Sequence, residues 1–150
     1  MIPPAAGDAF SMPAMLLQGL ATYGGAMRAA LAKAGYDDIP KNGLYVIGGL
    51  ALAGDHPLGR LIDQLQLSKQ AAGQLVDTLV ERGYLQRDVD AEDRRRLTIS
   101  LSTRGRAAAK VLAVARARID EKLAGRVGER DVQSTRRALA ALIQIARELK

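Results

Sequence analysis

The chain has 150 residues, with 22 lysines and arginines against 16 acidic residues, a net charge of +6, one histidine and no cysteine. With 48% hydrophobic and 25% charged residues, it has the composition of a single globular domain with its own core. Collagen, disordered tails, disulfide scaffolds and thiol redox switches are thereby excluded. The longest weakly polar run, residues 44–54, is too short to span a bilayer, and we expect a cytoplasmic protein with no membrane contact.

The first half of the chain predicts two helices after a loose start of ten residues. Ser11 is a suitable N-cap, and Gly35 a suitable left-handed stop. Between them, apolar residues recur every three or four positions, as on one face of a helix: Leu16, Leu20, Tyr23, Met27, Leu31 and Ala34. Residues 42–53 predict a second helix, although each of its two central glycines costs about 1 kcal/mol relative to alanine.

A helix-turn-helix is predicted next. Residues 58–66 form a short apolar helix, and only Leu67 and Ser68 separate it from a second helix that ends at Gly83. Ser68 can cap that second helix, whose apolar stripe consists of Ala72, Leu75, Val76, Leu79 and Val80.

The following residues predict a β-hairpin, and a hairpin directly after a helix-turn-helix is a wing. Residues 84–89 read as one strand, residues 90–95 as a charged tip, and the alternation of Leu97, Ile99 and Leu101 with polar residues as the returning strand. A helix then starts at Thr103, with Gly125 and Gly128 expected to interrupt it before a last helix over residues 129–149.

Positive charge is concentrated in the second half of the chain. Eight basic residues follow one another without an acidic residue between Arg94 and Ile119: Arg94, Arg95, Arg96, Arg104, Arg106, Lys110, Arg116 and Arg118. Such a run suits a polyanion, because each cation that meets a phosphate releases condensed counterions. From charge alone, a solvated basic face is equally compatible with this run.

The segment from Pro57 to Gly105 resembles the MarR family of bacterial transcription regulators. The residues that carry the resemblance are Leu58-Gly59-Arg60-Leu61-Ile62, Leu67-Ser68-Lys69-Gln70, Leu75-Val76-Asp77-Thr78-Leu79, Tyr84-Leu85-Gln86-Arg87, Asp93-Arg94-Arg95 and Leu101-Ser102-Thr103-Arg104-Gly105. The last of these resembles the family's Leu-Thr-x-x-Gly signature, with Ser102 in place of threonine.

The resemblance implies a mainly α fold with a small β-hairpin wing. Residues 42–105 would form the winged-helix DNA-binding lobe of a single domain, and residues 11–34 and 106–149 would be dimerisation helices. We therefore expect a homodimer on a pseudo-palindromic operator, because a two-fold pair of recognition helices matches two half-sites about 34 to 36 Å apart. A compact monomer in which these helices fold back is the alternative.

The helix after the turn would enter the major groove of double-stranded DNA. Ser68 and Lys69 would contact phosphate at its N-terminus, Gln70 and Gln74 could each pair with adenine, and Ala71 could touch a thymine methyl. Gly73 and Thr78 complete the expected interface. This outward face departs from the family, whose members usually present Ser, Thr or Arg, and the departure favours modest base discrimination that relies on groove shape.

The wing would supply the second set of contacts. By resemblance, Arg95 enters the minor groove or supports the tip with Asp93 as its orienting partner, while Arg94 and Arg96 reach phosphates. For Arg87, an ion pair with Asp88 or Asp90 is as plausible as a phosphate contact.

Other functional features are sparse. Members of the family often release DNA when a small ligand binds, and Tyr23, Met27 and Tyr45 are candidate effector-pocket residues, although such side chains are more often core. With one histidine and no cysteine, we expect no metal site, no cofactor and no catalytic residues.

The sequence therefore predicts a homodimeric, sequence-specific transcription regulator that acts as a repressor and is not an enzyme. The alternative is a winged-helix protein-interaction module that has lost base-specific reading, as Ala71 and Gly73 on the outward face would allow.

Overall fold

The computed structural model describes residues 9–53, 58–89, 92–94 and 97–150. Its elements follow the predicted order and confirm a mostly helical fold with a two-stranded antiparallel hairpin. They are α1 (Met12–Lys33), α2 (Gly43–Ala53), α3 (Leu58–Gln64), α4 (Lys69–Glu81), β1 (Leu85–Val89), β2 (Leu97–Leu101), α5 (Thr103–Val127) and α6 (Glu129–Glu148).

The predicted helix boundaries are set by caps. Ser68 Oγ accepts a hydrogen bond from the Ala71 amide at 3.1 Å and starts α4. At the other end, Gly83 has a φ of +82°, and the amides of Gly83 and Tyr84 donate to the carbonyls of Val80 and Leu79 at 3.0 and 2.8 Å. This pair of bonds is the Schellman motif, which turns the chain directly from α4 into β1.

The prediction that Gly125 interrupts the long C-terminal helix was wrong. α5 continues through Gly125 to Val127, and the break comes at Gly128, whose φ is +86°. A glycine in a helix costs about 1 kcal/mol relative to alanine, which the flanking turns can offset. Only the left-handed backbone at Gly128 ends the helix.

The chain divides into two compact units, named here by their place in the sequence. The central unit is Gly24–Ala115, and the terminal unit combines the residues up to Tyr23 with Arg116–Lys150. Among the described residues, every buried hydrophobic one lies in the central unit: Met27, Leu31, Leu44, Val46, Ile47, Leu50, Ala72, Leu75, Val76, Leu79, Tyr84, Leu85, Leu101, Ala108, Ala109, Leu112 and Ala115. Among residues 9–23 and 116–150 of the terminal unit, none is buried.

The hairpin is anchored in the core at one end only. Leu85 pairs with Leu101 in the register, and both are buried, whereas Val89 at the far end of β1 is 59% exposed. The base of the hairpin therefore belongs to the core of the central unit and its far end lies in solvent. In the part of the chain that the structure describes, no helix is both long and apolar enough to cross a membrane.

Candidate nucleic-acid interface

Helix α4 has one buried and one exposed face. Ala72, Leu75, Val76 and Leu79 are buried, which is the three-and-four spacing of a helix that covers a core on one side. The predicted DNA-facing residues lie on the other side: Lys69, Gln70, Gly73 and Gln74 are exposed, Ser68 just before the helix is exposed, and Ala71 and Thr78 are half-buried. The structure thus brings this set together on one solvent-facing surface of the central unit.

The first turn of α4 has the chemistry of an anion site. The oxygen of the Ser68 hydroxyl is used as the N-cap, while its proton can still be donated. The first-turn amides have no acceptors within the helix, and the positive end of the helix dipole adds to the charge of the exposed Lys69. This arrangement can position a phosphate but carries no base information.

Arg87 makes an ion pair that the sequence did not predict. Its Nη2 donates to Oδ1 of Asp77, on the exposed side of α4, which links β1 to the second half of that helix. The predicted pair with Asp88 is not formed, because successive side chains of a strand point to opposite faces. Asp88 instead accepts from Ser100 Oγ at 2.8 Å, and Asp90 lies outside the described residues.

The predicted wing-tip residues are described in part. Asp93 and Arg94 are exposed after the end of β1. Arg95 and Arg96 lie outside the described residues, and the predicted pairing of Arg95 with Asp93 stays a prediction.

A polar cluster behind the C-terminus of α4 was missed by the sequence analysis. The hydroxyl of Tyr84, which is fully buried, donates to Oδ1 of Asp38 in the loop between α1 and α2. The guanidinium of Arg104 lies 4.4 Å from the centre of the Tyr84 ring and donates a hydrogen bond to the Arg82 carbonyl at 2.6 Å. Arg82 Nη1 in turn donates to the backbone carbonyl of Asp38. These contacts hold together the turn between α4 and β1, the start of α5 and the loop after α1.

The same cluster shifts two pKa values in opposite directions. The hydrogen bond from Tyr84 holds the pKa of Asp38 below its usual value, with the charge of Arg104 acting in the same direction. Burial, and then the hydrogen bond to Asp38, raises the pKa of the Tyr84 phenol. A neutral phenol beside a carboxylate is thus the stable state of this pair.

Two arginines of the basic run are bonded to the backbone of the central unit. Arg104 is held in the cluster, and Arg106 donates to the Leu101 carbonyl at 2.9 Å, so both guanidinium groups cap backbone carbonyls of the central unit. Ser102, the departure from the family signature, caps α5 by accepting from the Gly105 amide at 3.0 Å. No local pattern in the sequence shows the bond between Arg104 and Asp38, because these residues are 66 positions apart.

The three candidate effector residues are divided between the two units. Tyr23, in the terminal unit, donates a hydrogen bond to Asp120 Oδ1. Burial, as the larger cause, and this hydrogen bond raise the pKa of Tyr23 to about 12. Met27 is buried in the core of the central unit, and Tyr45 is half-buried there.

The central unit also contains an open cleft of about 200 Å³. Arg28, Tyr36 and Asp37 are the polar residues of its lining, and neither Met27 nor Tyr45 lines it. Among the described residues, no three histidine or acidic side chains come together in a way that could hold a metal ion.

Comparison with known proteins finds a matching family model for the middle of the chain. The model described as "MarR family" matches residues 38–96, from the loop after α1 to the residue before β2. No curated protein sequence matches the chain.

Solved structures share the fold over almost the whole chain. FabT of Streptococcus pneumoniae, in complex with DNA, has a TM-score of 0.72 at 19% identity, with 91% of this chain and 95% of that chain covered. The transcriptional regulator PA4135 has a TM-score of 0.71 at 20% identity, with 91% of this chain and 98% of that chain covered. The MepR–DNA complex of S. aureus has a TM-score of 0.69 at 17% identity, with 95% of this chain and 99% of that chain covered.

The family match covers the helix-turn-helix and the first strand of the hairpin, and the fold likeness extends through the helices on both sides. The resemblance to the MarR family seen in the sequence is confirmed over residues 38–96, and the solved structures share the fold of the chain.

Proposed function

We propose that this protein is a sequence-specific double-stranded DNA-binding regulator that works as a homodimer and represses transcription by occupying its operator. The observation that carries the proposal is the exposed face of α4, where a capped positive N-terminus and two glutamines lie on one surface beside a hairpin. FabT and MepR, which share the fold, have been solved with DNA.

Base reading is assigned to Gln70 and Gln74. They are one helical turn apart, and each can donate to adenine N7 and accept from its exocyclic amine. Ala71 and Thr78 offer a methyl group to thymine, and Gly73 lets the groove wall approach the helix closely. Ser68 and Lys69 fix the position of α4 by contacting phosphate.

The wing would reach the neighbouring part of the duplex. Arg94 is exposed beyond β1, and the hairpin is anchored only at its base, which suits a finger that follows the backbone or the minor groove. We assign Arg94 and Arg96 to phosphates, Arg95 to the minor groove with Asp93 as its partner, and Arg87 to the flank of α4.

Dimerisation is supported by the apolar surface of the terminal unit. None of residues 9–23 and 116–150 is buried, and many large hydrophobic side chains among them are exposed, including Met12, Met15, Leu16, Leu17, Leu20, Leu123, Leu139, Leu142, Ile143, Ile145 and Leu149. Exposed apolar side chains in this number favour an interface, and a second copy of the chain is the partner that gives two recognition helices related by a two-fold axis. We assign dimerisation to segments 11–34 and 106–149, of which residues 11–23 and 116–149 belong to the terminal unit with its exposed apolar side chains, and DNA binding to residues 42–105.

Release by a small effector completes the proposed mechanism. Tyr23, Met27 and Tyr45 remain our candidate pocket residues, since a ligand that favours one spacing of the two recognition helices shifts the equilibrium between bound and free DNA.

A salt titration of the full chain tests the proposal. Binding to a random-sequence duplex at 50 mM salt should weaken steeply as salt increases, because each phosphate contact contributes about 0.9 to the slope of log K against log salt. Arg94→Ala should lower that slope by about one contact, and Lys110→Ala, an exposed cation on α5, should leave it unchanged. Absence of duplex binding at low salt would instead support the protein-interaction alternative.

A further inference from the structure

Asp77 is an unexpected residue on the surface proposed to meet DNA. It lies on α4 three residues after Gln74, on the exposed side of the helix, and its side chain is 69% exposed. A carboxylate there repels phosphate, and on the recognition helix of a polyanion-binding protein it therefore has an electrostatic cost.

Arg87 explains how this carboxylate is accommodated. Its guanidinium crosses from β1 to Asp77 and is 40% exposed, so that the carboxylate is the more accessible partner of the pair. A guanidinium has five N–H donors in a fixed plane, and the bond between Nη2 and Oδ1 uses one of them. The direction of the remaining donors is therefore set by Asp77.

We infer that Asp77 is a positioning residue for DNA recognition: it orients Arg87 toward one backbone register and thereby penalises duplexes whose phosphates do not match that direction. The inference rests on the proposed function and deepens it. An Arg87 side chain without this restraint would pair with whichever phosphate came within reach, because a long cationic side chain on an exposed strand is otherwise free to follow the polyanion.

The consequence concerns specificity rather than affinity alone. On a matched duplex, Arg87 bridges Asp77 and a phosphate, with charge-assisted hydrogen bonds on both sides. On an unmatched duplex, Arg87 stays with Asp77, and the carboxylate adds repulsion. Removal of the carboxylate should therefore favour random DNA more than the cognate site.

The test compares two duplexes of equal length, one selected by the wild-type protein from a random pool and one of random sequence. In Asp77→Ala, binding to the random duplex should rise about threefold at 200 mM salt, and its salt slope should become steeper by about 0.9, the value of one phosphate contact. Binding to the selected duplex should not rise, and the ratio of the two affinities should fall. Adding Arg87→Ala to Asp77→Ala should remove the gain on random DNA.

Glu81→Ala is the matched control, since it removes an exposed acid one turn further along α4. It should leave the ratio of affinities unchanged, and thermal melting should show that all variants fold. Equal gains for Glu81→Ala and Asp77→Ala would reduce the effect to net charge and overturn the inference. A loss by Asp77→Ala of the same factor on both duplexes would also overturn it, because it would indicate a purely structural contact.

The experiment distinguishes a failure of the proposed DNA binding from a failure of the role inferred for Asp77. If the wild-type protein binds neither duplex at 50 mM salt, the proposed function and this inference are overturned together. If it binds both and Asp77→Ala leaves the ratio of affinities unchanged, only the inference is overturned.

Discussion

The central and terminal units are both helical and both rich in apolar residues, but they differ in where those residues lie. In the central unit, leucines such as Leu44, Leu79 and Leu112 are almost completely buried. In the terminal unit, the apolar residues of α6 are exposed, with Ile143 at 63% and Leu142 at 45%. Secondary structure alone therefore does not indicate whether a segment contains its own core.

This difference in burial indicates where the stability of each unit originates. Burial of apolar surface contributes about 25 cal/mol per Å², and isolated helices are marginal in water without such burial. The central unit has this contribution within one chain. The terminal unit has to obtain it from another surface, which is the physical reason for the proposed dimer.

The largest effect is expected from the core of the central unit. Leu79→Ala removes a fully buried side chain of α4 and should lower the free energy of unfolding by about 2–5 kcal/mol. Leu52→Ala, at a position that is 72% exposed on α2, is the control and should cost less than about 1 kcal/mol. Urea denaturation measures both, and similar costs would contradict the burial pattern.

Two glycines of the same helix provide the next comparison. A Cβ on Gly105 would overlap the carbonyl of Tyr84, a backbone atom that cannot move aside, and would lie 3.1 Å from a methyl group of Leu101. Gly105→Ala should therefore destabilise the protein by about 3 kcal/mol.

Gly125→Ala is its control, because nothing lies within 4 Å of the added Cβ. It should stabilise the helix by up to about 1 kcal/mol, which is the difference in helix propensity between the two residues. Thermal or urea unfolding gives both values, and a stabilising Gly105→Ala would show that α5 lies less close to the Tyr84 backbone than described.

The terminal unit is tested by making its surface polar. The double variant Leu142→Ser and Ile143→Ser should weaken dimerisation by at least about 100-fold, because each side chain buried at an interface contributes about 1.5–3 kcal/mol. Sedimentation at micromolar protein concentration should then show a monomer. The Leu52→Ser variant is the control, because Leu52 is already exposed in the central unit, and it should remain a dimer. A wild-type protein that is monomeric at high concentration would contradict the proposed dimer.

The smallest effect is expected from the pair of Tyr84 and Asp38, through its pH dependence. The lowered pKa of Asp38 means that the ionised carboxylate contributes stability above its ordinary pKa of about 3.9, and that this stability is lost as pH falls through the lowered value. At pH 7, Tyr84→Phe should be less stable than the wild type by about 1 kcal/mol, the typical value of one hydrogen bond.

That difference should shrink as the solution is acidified toward pH 2. Tyr36→Phe is the control, since the Tyr36 ring packs edge-on against Tyr84 at 6.1 Å while the bond to Asp38 comes from Tyr84. A difference between Tyr84→Phe and the wild type that stays constant with pH would show that the phenol does not stabilise the carboxylate.

The elements of the fold were predictable because their signals are local. Ser68 caps α4, Gly35 and Gly83 have the left-handed backbone expected of helix stops, and the alternation of residues 97–101 produced β2. The exposed set on α4 followed from the same periodicity. Gly125 was misassigned because a glycine permits a break but does not require one.

The candidate site was predictable only where its residues lie on a single helix, whose periodicity sets which side chains share a face. Ser68, Lys69, Gln70 and Gln74 share a surface because they share a helix end. The partner of Arg87 could not be predicted, since the sequence offers Asp88 as the neighbour and the strand directs the two side chains to opposite faces.

The sequence by itself determined the order of helices and strands, the positive capped end of α4 and the excess of apolar side chains in the helices at both ends. The tertiary structure decided which charges are available to a partner. It paired Arg87 with Asp77 and joined Arg104 to Tyr84, Arg82 and Asp38. The physical reason is that caps and periodicities act within a few residues of the chain, whereas ion pairs and core packing depend on distances that only the folded backbone sets.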